Sequence, residues 1–175
     1  MNVSAKGALV GAALMVAGVV GTAQAQATPA TASINATADV QSVLTASAVQ
    51  DLDFGATFGG IAKTVLPNDV TSGEVGLSGS PNAEVTVSFT TLPAILTGPG
   101  TDIPLTYGAN AAAFSAAGTR AGSTPFDPST GTTTRLDATN GVLSVYLGGT
   151  VSPAANQTAG TYTNSITLSA AYTGN

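Results

Sequence analysis

The stretch Tyr162–Thr173, YTNSITLSAAYT, sends Tyr162, Ile166, Leu168, Ala170 and Tyr172 to one side and Thr163, Ser165, Thr167 and Ser169 to the other. A period of two is the mark of a strand with one buried and one wet face, not of a helix. The same alternation recurs upstream. Asp51–Phe58 sets Leu52, Phe54, Ala56 and Phe58 against Asp53, Gly55 and Thr57, and Glu84–Thr90 sets Val85, Val87 and Phe89 against Thr86, Ser88 and Thr90. Shorter runs fall at Val75/Leu77, Ile103/Leu105/Tyr107 and Leu143/Val145/Leu147. Turn residues punctuate them at Pro67-Asn68-Asp69, Gly79-Ser80-Pro81-Asn82, Gly98-Pro99-Gly100 and Asn140-Gly141. The last fits a type I′ hairpin, whose two central residues need positive φ. Many short strands at this spacing predict an all-β protein, an antiparallel β-sandwich. Gly108–Gly131 is rich in Ala, Gly, Ser and Pro; a helical turn at Ala111–Ala117 is conceivable, but the flanks favour an irregular crossover loop.

Composition excludes more chemistry than it suggests. The 175 residues include no Cys, no His and no Trp, and only 7% are charged. Cys/His zinc clusters, Cys nucleophiles and Ser-His-Asp relays are therefore out of reach. Four basic residues against nine acidic ones leave no electrostatic footprint for a nucleic-acid backbone.

The N-terminal 25 residues read as a signal peptide. Lys6 supplies the positive n-region, Gly7–Val20 the apolar core, and Ala23-Gln24-Ala25 the small residues before cleavage at Gln26, with Thr28 as the second choice. The apolar run is short for an uncleaved membrane anchor, and no Cys follows it to take a lipid. The expectation is an exported chain that passes the periplasm to the cell surface without a membrane span. Residues 26–40 then form an N-terminal strand or extension, and 41–175 the sandwich domain.

Thr28–Val40 alternates almost perfectly, with Ala30, Ala32, Ile34, Ala36, Ala38 and Val40 against Thr31, Ser33, Asn35, Thr37 and Asp39. Thirteen extended residues span roughly 40 Å, the full length of a sandwich. Such a segment is either the domain's own first strand or a donor strand that completes the sheet of a neighbouring copy. The residues leave both open.

Asp51-Leu52-Asp53-Phe54-Gly55, Val142–Gly149 followed by Thr150, and Ala159-Gly160-Thr161-Tyr162 leading into Ile166–Tyr172 occur in a telling order. In that order the chain resembles the secreted pilin-like family called domain of unknown function 4402, and more distantly spore-coat-U and chaperone–usher pilus subunits. The resemblance covers most of Ala32–Tyr172. It implies an incomplete immunoglobulin-like sandwich lacking a strand. A periplasmic chaperone would pair with the strand carrying Ile166, Leu168, Ala170 and Tyr172. At an outer-membrane usher, the N-terminal strand of the next subunit would replace it. The chain departs from the pilus pattern in lacking a Cys pair, in placing Tyr172 three residues before the end, and in an alanine-rich donor segment.

Other candidates weigh less. Asp51 and Asp53, two apart, are potential calcium ligands, but calcium wants six to eight oxygens and a solvated strand face suffices. A glycosidase acid–base pair would need carboxylates facing each other across a cleft. Asp102, Asp127 and Asp137 sit beside turn residues and suit loop caps. Gly55–Gly60 and Gly148-Gly149 lack the Lys and Ser/Thr pattern of a phosphate loop. Asn35-Ala36-Thr37 and Asn156-Gln157-Thr158 match the glycosylation sequon, a pattern short enough to arise by chance. Tyr107, Tyr146, Tyr162 and Tyr172 suit core and rim packing better than sugar stacking, and Lys63, Arg120 and Arg135 are too scattered for a basic patch. No catalytic residue, cofactor or metal is expected. The expected function is a non-enzymatic, self-associating subunit of a surface fibre or coat; the alternative is a monomeric secreted sandwich that binds carbohydrate or a surface.

Overall fold

A computed structural model of the chain describes residues 31–38, 40 and 42–174. The signal-peptide segment and Ala30 lie outside them. Two units are distinguished, Met1–Ala38 and Asp39–Asn175. In the first, Thr31–Ala38 carry no regular secondary structure and are exposed. The alternation of this segment is thus not expressed as a strand, because a strand needs a partner edge to satisfy its backbone donors and acceptors.

The second unit is all-β, with no helix among the described residues. Its strands are β1 (Thr45–Gln50), β2 (Lys63–Val65), β3 (Gly73–Ser78), β4 (Glu84–Thr91), β5 (Ile95–Leu96) and β6 (Ile103–Thr106). They continue as β7 (Ala112–Ser115), β8 (Thr124–Phe126), β9 (Thr132–Arg135), β10 (Val142–Leu147), β11 (Gly149–Val151) and β12 (Thr167–Tyr172). Every strand pair is antiparallel. They build three sheets in the orders β1-β3-β10-β7-β8, β2-β11-β6-β5 and β12-β4-β9.

The five-stranded and three-stranded sheets face each other. Leu77, Leu143, Val145, Leu147, Ala112 and Phe126 from one side meet Val85, Val87 and Leu136 from the other, with Phe89, Leu168, Ala170 and Tyr172 packed against them. Phe126 stacks on Phe89 with ring centroids 6.4 Å apart. A second cluster, Phe54, Val65, Ile103, Leu105 and Val151, lies under the four-stranded sheet. Gly148 is the corner between β10 and β11: a Cβ there would stand 2.2 Å from the Val65 carbonyl oxygen, so only glycine lets the β2 backbone approach this closely.

Four expectations are corrected. Asp51–Phe58 is not a strand. Leu52 and Phe54 do reach the second cluster, but Phe58 is 70% exposed. The segment has turned away from any sheet edge, and Asp53 holds the bend by accepting the Gly55 N–H at 2.6 Å. Tyr162–Thr173 is a strand only from Thr167, since Thr163 instead bridges Thr97. Gly108–Gly131 is not an irregular loop: β7 sits in the five-stranded sheet between β10 and β8, where Ala112 and Ala113 are small enough to be fully covered. Finally, Asn140-Gly141 is not type I′. Gly141 alone has positive φ, +66°, because the Asp137 carboxylate collects the N–H groups of Thr139 and Asn140 into a longer loop.

Candidate functional site

β1 and β12 are both outermost in their sheets, so among the described residues each has one edge without a ladder partner. The register of β1 sets Ala46 opposite Leu77 and Ala48 opposite Val75, so both alanines share the core-facing side. Leu77 is 1% exposed, yet Ala46 and Ala48 are exposed. Across the opening, Leu168, Ala170 and Tyr172 also face inward and are only half-buried, while their neighbours Val85 and Val87 on β4 are sealed. A core-facing residue that solvent reaches marks a place where the sandwich is not closed. The seam between β1 and β12 is that place.

The seam leads into an open cleft of about 810 Å³. Val75, Val145 and Leu147 line it from the five-stranded sheet, Phe89 from β4, and Leu105 and Val151 from the second cluster. Its lips are the end of β1 with the following bend, Ala48 to Gly55, and the approach to β12, Gly160 to Ile166. The lining is mixed: apolar side chains come from the sheets, and polar ones, Gln50, Asp51, Asp53, Glu74, Thr163 and Asn164, stand among them.

The seam is braced at both ends. At one end Tyr172 Oη accepts the Ser80 N–H at 2.7 Å and donates to the Ser42 carbonyl at 2.9 Å, and Ser42 N–H donates to Ser80 Oγ at 2.7 Å. The chain therefore enters β1 beside the point where β12 ends. At the other end a bulge between Ala48 and Gln50 turns Gln50 to the outer face. There its amide donates to the carbonyl oxygens of Val70 and Ser72 and its oxygen accepts from Arg120. Arg120 also pairs with Glu74 at 2.8 Å and lies 4.9 Å over the ring of the fully buried Tyr146.

Of the expected strand-exchange residues, Ile166 lines the cleft and Leu168, Ala170 and Tyr172 lie on the inward face of β12. Ala32, Ile34, Ala36 and Ala38 are exposed without a ladder, and Val40 is 89% exposed. The sequence reading missed β1, whose only signal was the weak alternation of Leu44, Ala46 and Ala48, and it missed the clamp made by Arg120.

Three titratable groups among the described residues are displaced from their ordinary values. Burial pushes the Tyr107 phenol up to about 12, which keeps it protonated, and its oxygen, like that of Tyr146, has no hydrogen-bond partner among the described residues. Asp127 is held below the usual carboxylate range by the Ser129 hydroxyl and N–H, and Asp137 by the Asn140 and Thr139 N–H groups. Both are loop caps on the surface. Asp51 and Asp53 sit at the cleft rim on a bend, and among the described residues no group of three His, Cys, Asp or Glu side chains gathers to hold a metal ion. No helix among them is long and apolar enough to cross a membrane.

No protein-family model matches the chain, and neither does any curated protein.

Proposed function

We propose that the protein is a non-enzymatic structural subunit of an exported surface fibre or coat, a pilin-like incomplete sandwich whose seam accepts an extended strand from a second copy. The observation that supports this is the exposure of Ala46 and Ala48 on the core-facing side of β1, across from the unpaired edge of β12. An inserted strand would ladder with β12 and cover both lips. The candidate occupant is Thr28–Val40, whose alternate residues are small apart from Ile34 and Val40. Each main-chain hydrogen bond would contribute about 0.5–1.5 kcal/mol net, and burial of Ile34 about 1.5–3 kcal/mol.

Geometry favours insertion between copies. Ser42 is fixed at the end of β12 that carries Tyr172, and only Gln41 separates it from Val40. The segment laid along its own β12 would have to run parallel to it, whereas every ladder in the domain is antiparallel. A segment from another copy is free to run antiparallel, the slightly stronger pairing. In transit, a periplasmic chaperone would cover the same edge of β12, and an usher would exchange it for the next subunit.

The test uses the full exported chain and its Ile34→Asp variant. The variant should stay monomeric, bind a Thr28–Val40 peptide with one-to-one stoichiometry and melt higher with it, while the wild type forms oligomers. A wild type that remains monomeric at all concentrations, together with a variant indifferent to the peptide, overturns the proposal in favour of a monomeric binding module.

A further inference from the structure

Large apolar side chains are left in solvent at several points of the surface, Val49, Leu66 and Val70 among them, and two of these places lie where a donor strand would enter and leave. One is the turn Phe58-Gly59-Gly60-Ile61, where Phe58 is 70% and Ile61 60% exposed. The other is the entry to β1, where Val40 is 89% and Val43 83% exposed. The turn is not a loose loop. Gly60 N–H donates to the Pro153 carbonyl at 2.9 Å, and Ile61 N–H donates to the Phe58 carbonyl at 3.1 Å. A Cβ on Gly59 would stand 2.8 Å from the Ala155 carbonyl oxygen, so the turn is seated against the backbone after β11. Holding two large apolar side chains out on a braced turn costs solvation, and such patches mark contact sites.

The two patches lie at opposite ends of the domain. Val43 adjoins Ser42, which is tied to Tyr172 at the end of β12. Phe58 follows Thr57 and Gly55, which line the cleft at the end where β12 begins. A donor strand antiparallel to β12 would leave the acceptor's cleft at that second end, and Ser42, which is tied to Tyr172 of the donor's own domain, follows only two residues after Val40. We propose that the Phe58–Ile61 turn is a second subunit-docking surface, which packs against Val40 and Val43 of the copy whose strand fills the cleft. It makes successive domains abut end to end instead of hanging on a free tether. The inference rests on the strand-acceptor function proposed above.

The experiment compares full-length wild type with the double variant Phe58→Ser/Ile61→Ser, with Val43→Ser, and with the three changes combined. Each double or single variant should raise the critical concentration for assembly by about tenfold, on the scale of burying one or two apolar side chains. The combined variant should be no worse than the worse of the two, since both remove the same contact. To separate the cleft from the turn, Phe58→Ser/Ile61→Ser is also placed in the Ile34→Asp chain, which should bind the Thr28–Val40 peptide as tightly as Ile34→Asp alone. Wild-type assembly by the Phe58→Ser/Ile61→Ser chain, or fully additive effects, overturns the docking surface while peptide binding leaves the acceptor cleft standing. Absence of peptide binding in Ile34→Asp itself overturns the cleft, and the docking surface with it.

Discussion

The phenol of Tyr172 donates to the carbonyl of Ser42 at 2.9 Å, across 130 residues of sequence. The last strand thereby fixes where the chain enters the first, and Ser80 N–H completes the junction by donating to the same oxygen at 2.7 Å. Tyr172→Phe removes both bonds while keeping the ring in the core. It should cost about 1–2 kcal/mol in denaturant unfolding, since the Ser80 N–H is part-buried while the Ser42 carbonyl is exposed and can turn to water. A loss below the error of the measurement would mean that water replaces the phenol at no cost.

Arg120 binds Gln50, Ser72 and Glu74 with one guanidinium and stacks it on Tyr146. Arg120→Ala should destabilise by about 2–4 kcal/mol, below the cost of breaking a fully buried pair because both partners keep some solvent contact. Arg120→Lys should recover little of this, since an ammonium cannot reproduce the planar fork. Equal stability of the Lys variant and wild type, read from chemical denaturation, would show that charge alone suffices.

Gly148→Ala should destabilise by about 1–3 kcal/mol or more, because its methyl would collide with the Val65 carbonyl, which belongs to backbone that has no rotamer to change. Gly108→Ala is the control, as a Cβ there meets nothing within 4 Å. Thermal melts of the two should differ by several degrees.

Asp127 and Asp137 have carboxyls held below their ordinary range in the folded state. Their stabilisation is therefore present above the unfolded carboxylate pKa of about 3.9 and is lost as pH falls through the lower folded values. Asp137→Asn should flatten the decline of the melting temperature between roughly pH 4 and pH 2 relative to wild type. An unchanged acid limb in the variant would show that other carboxylates carry it.

Period two in Glu84–Thr90 and Thr167–Tyr172 made the sheet visible, because alternation is imposed residue by residue where one face is dry and the other wet. The core faces of β3 and β10 were legible for the same reason, as were the turn at Pro67-Asn68-Asp69 and the loop caps Asp127 and Asp137. Asp51–Phe58 shows where that logic stops. It alternates as well as any strand, yet no edge is offered to it, and it bends into the second cluster. β7 failed in the opposite sense: Ala112 and Ala113 look like loop residues, and only burial beneath neighbouring strands makes them sheet.

The amino-acid sequence by itself determined that this chain is an antiparallel β protein with no His, Cys or basic patch to work with, because those are properties of local alternation and of residue type. The tertiary structure decided which edges stay open. Ala46 looks no different from Ala112 in sequence, but one faces an unclosed seam and the other the sealed core. Whether a core-facing side chain is covered depends on strands far away in the chain, and only long-range pairing settles their positions.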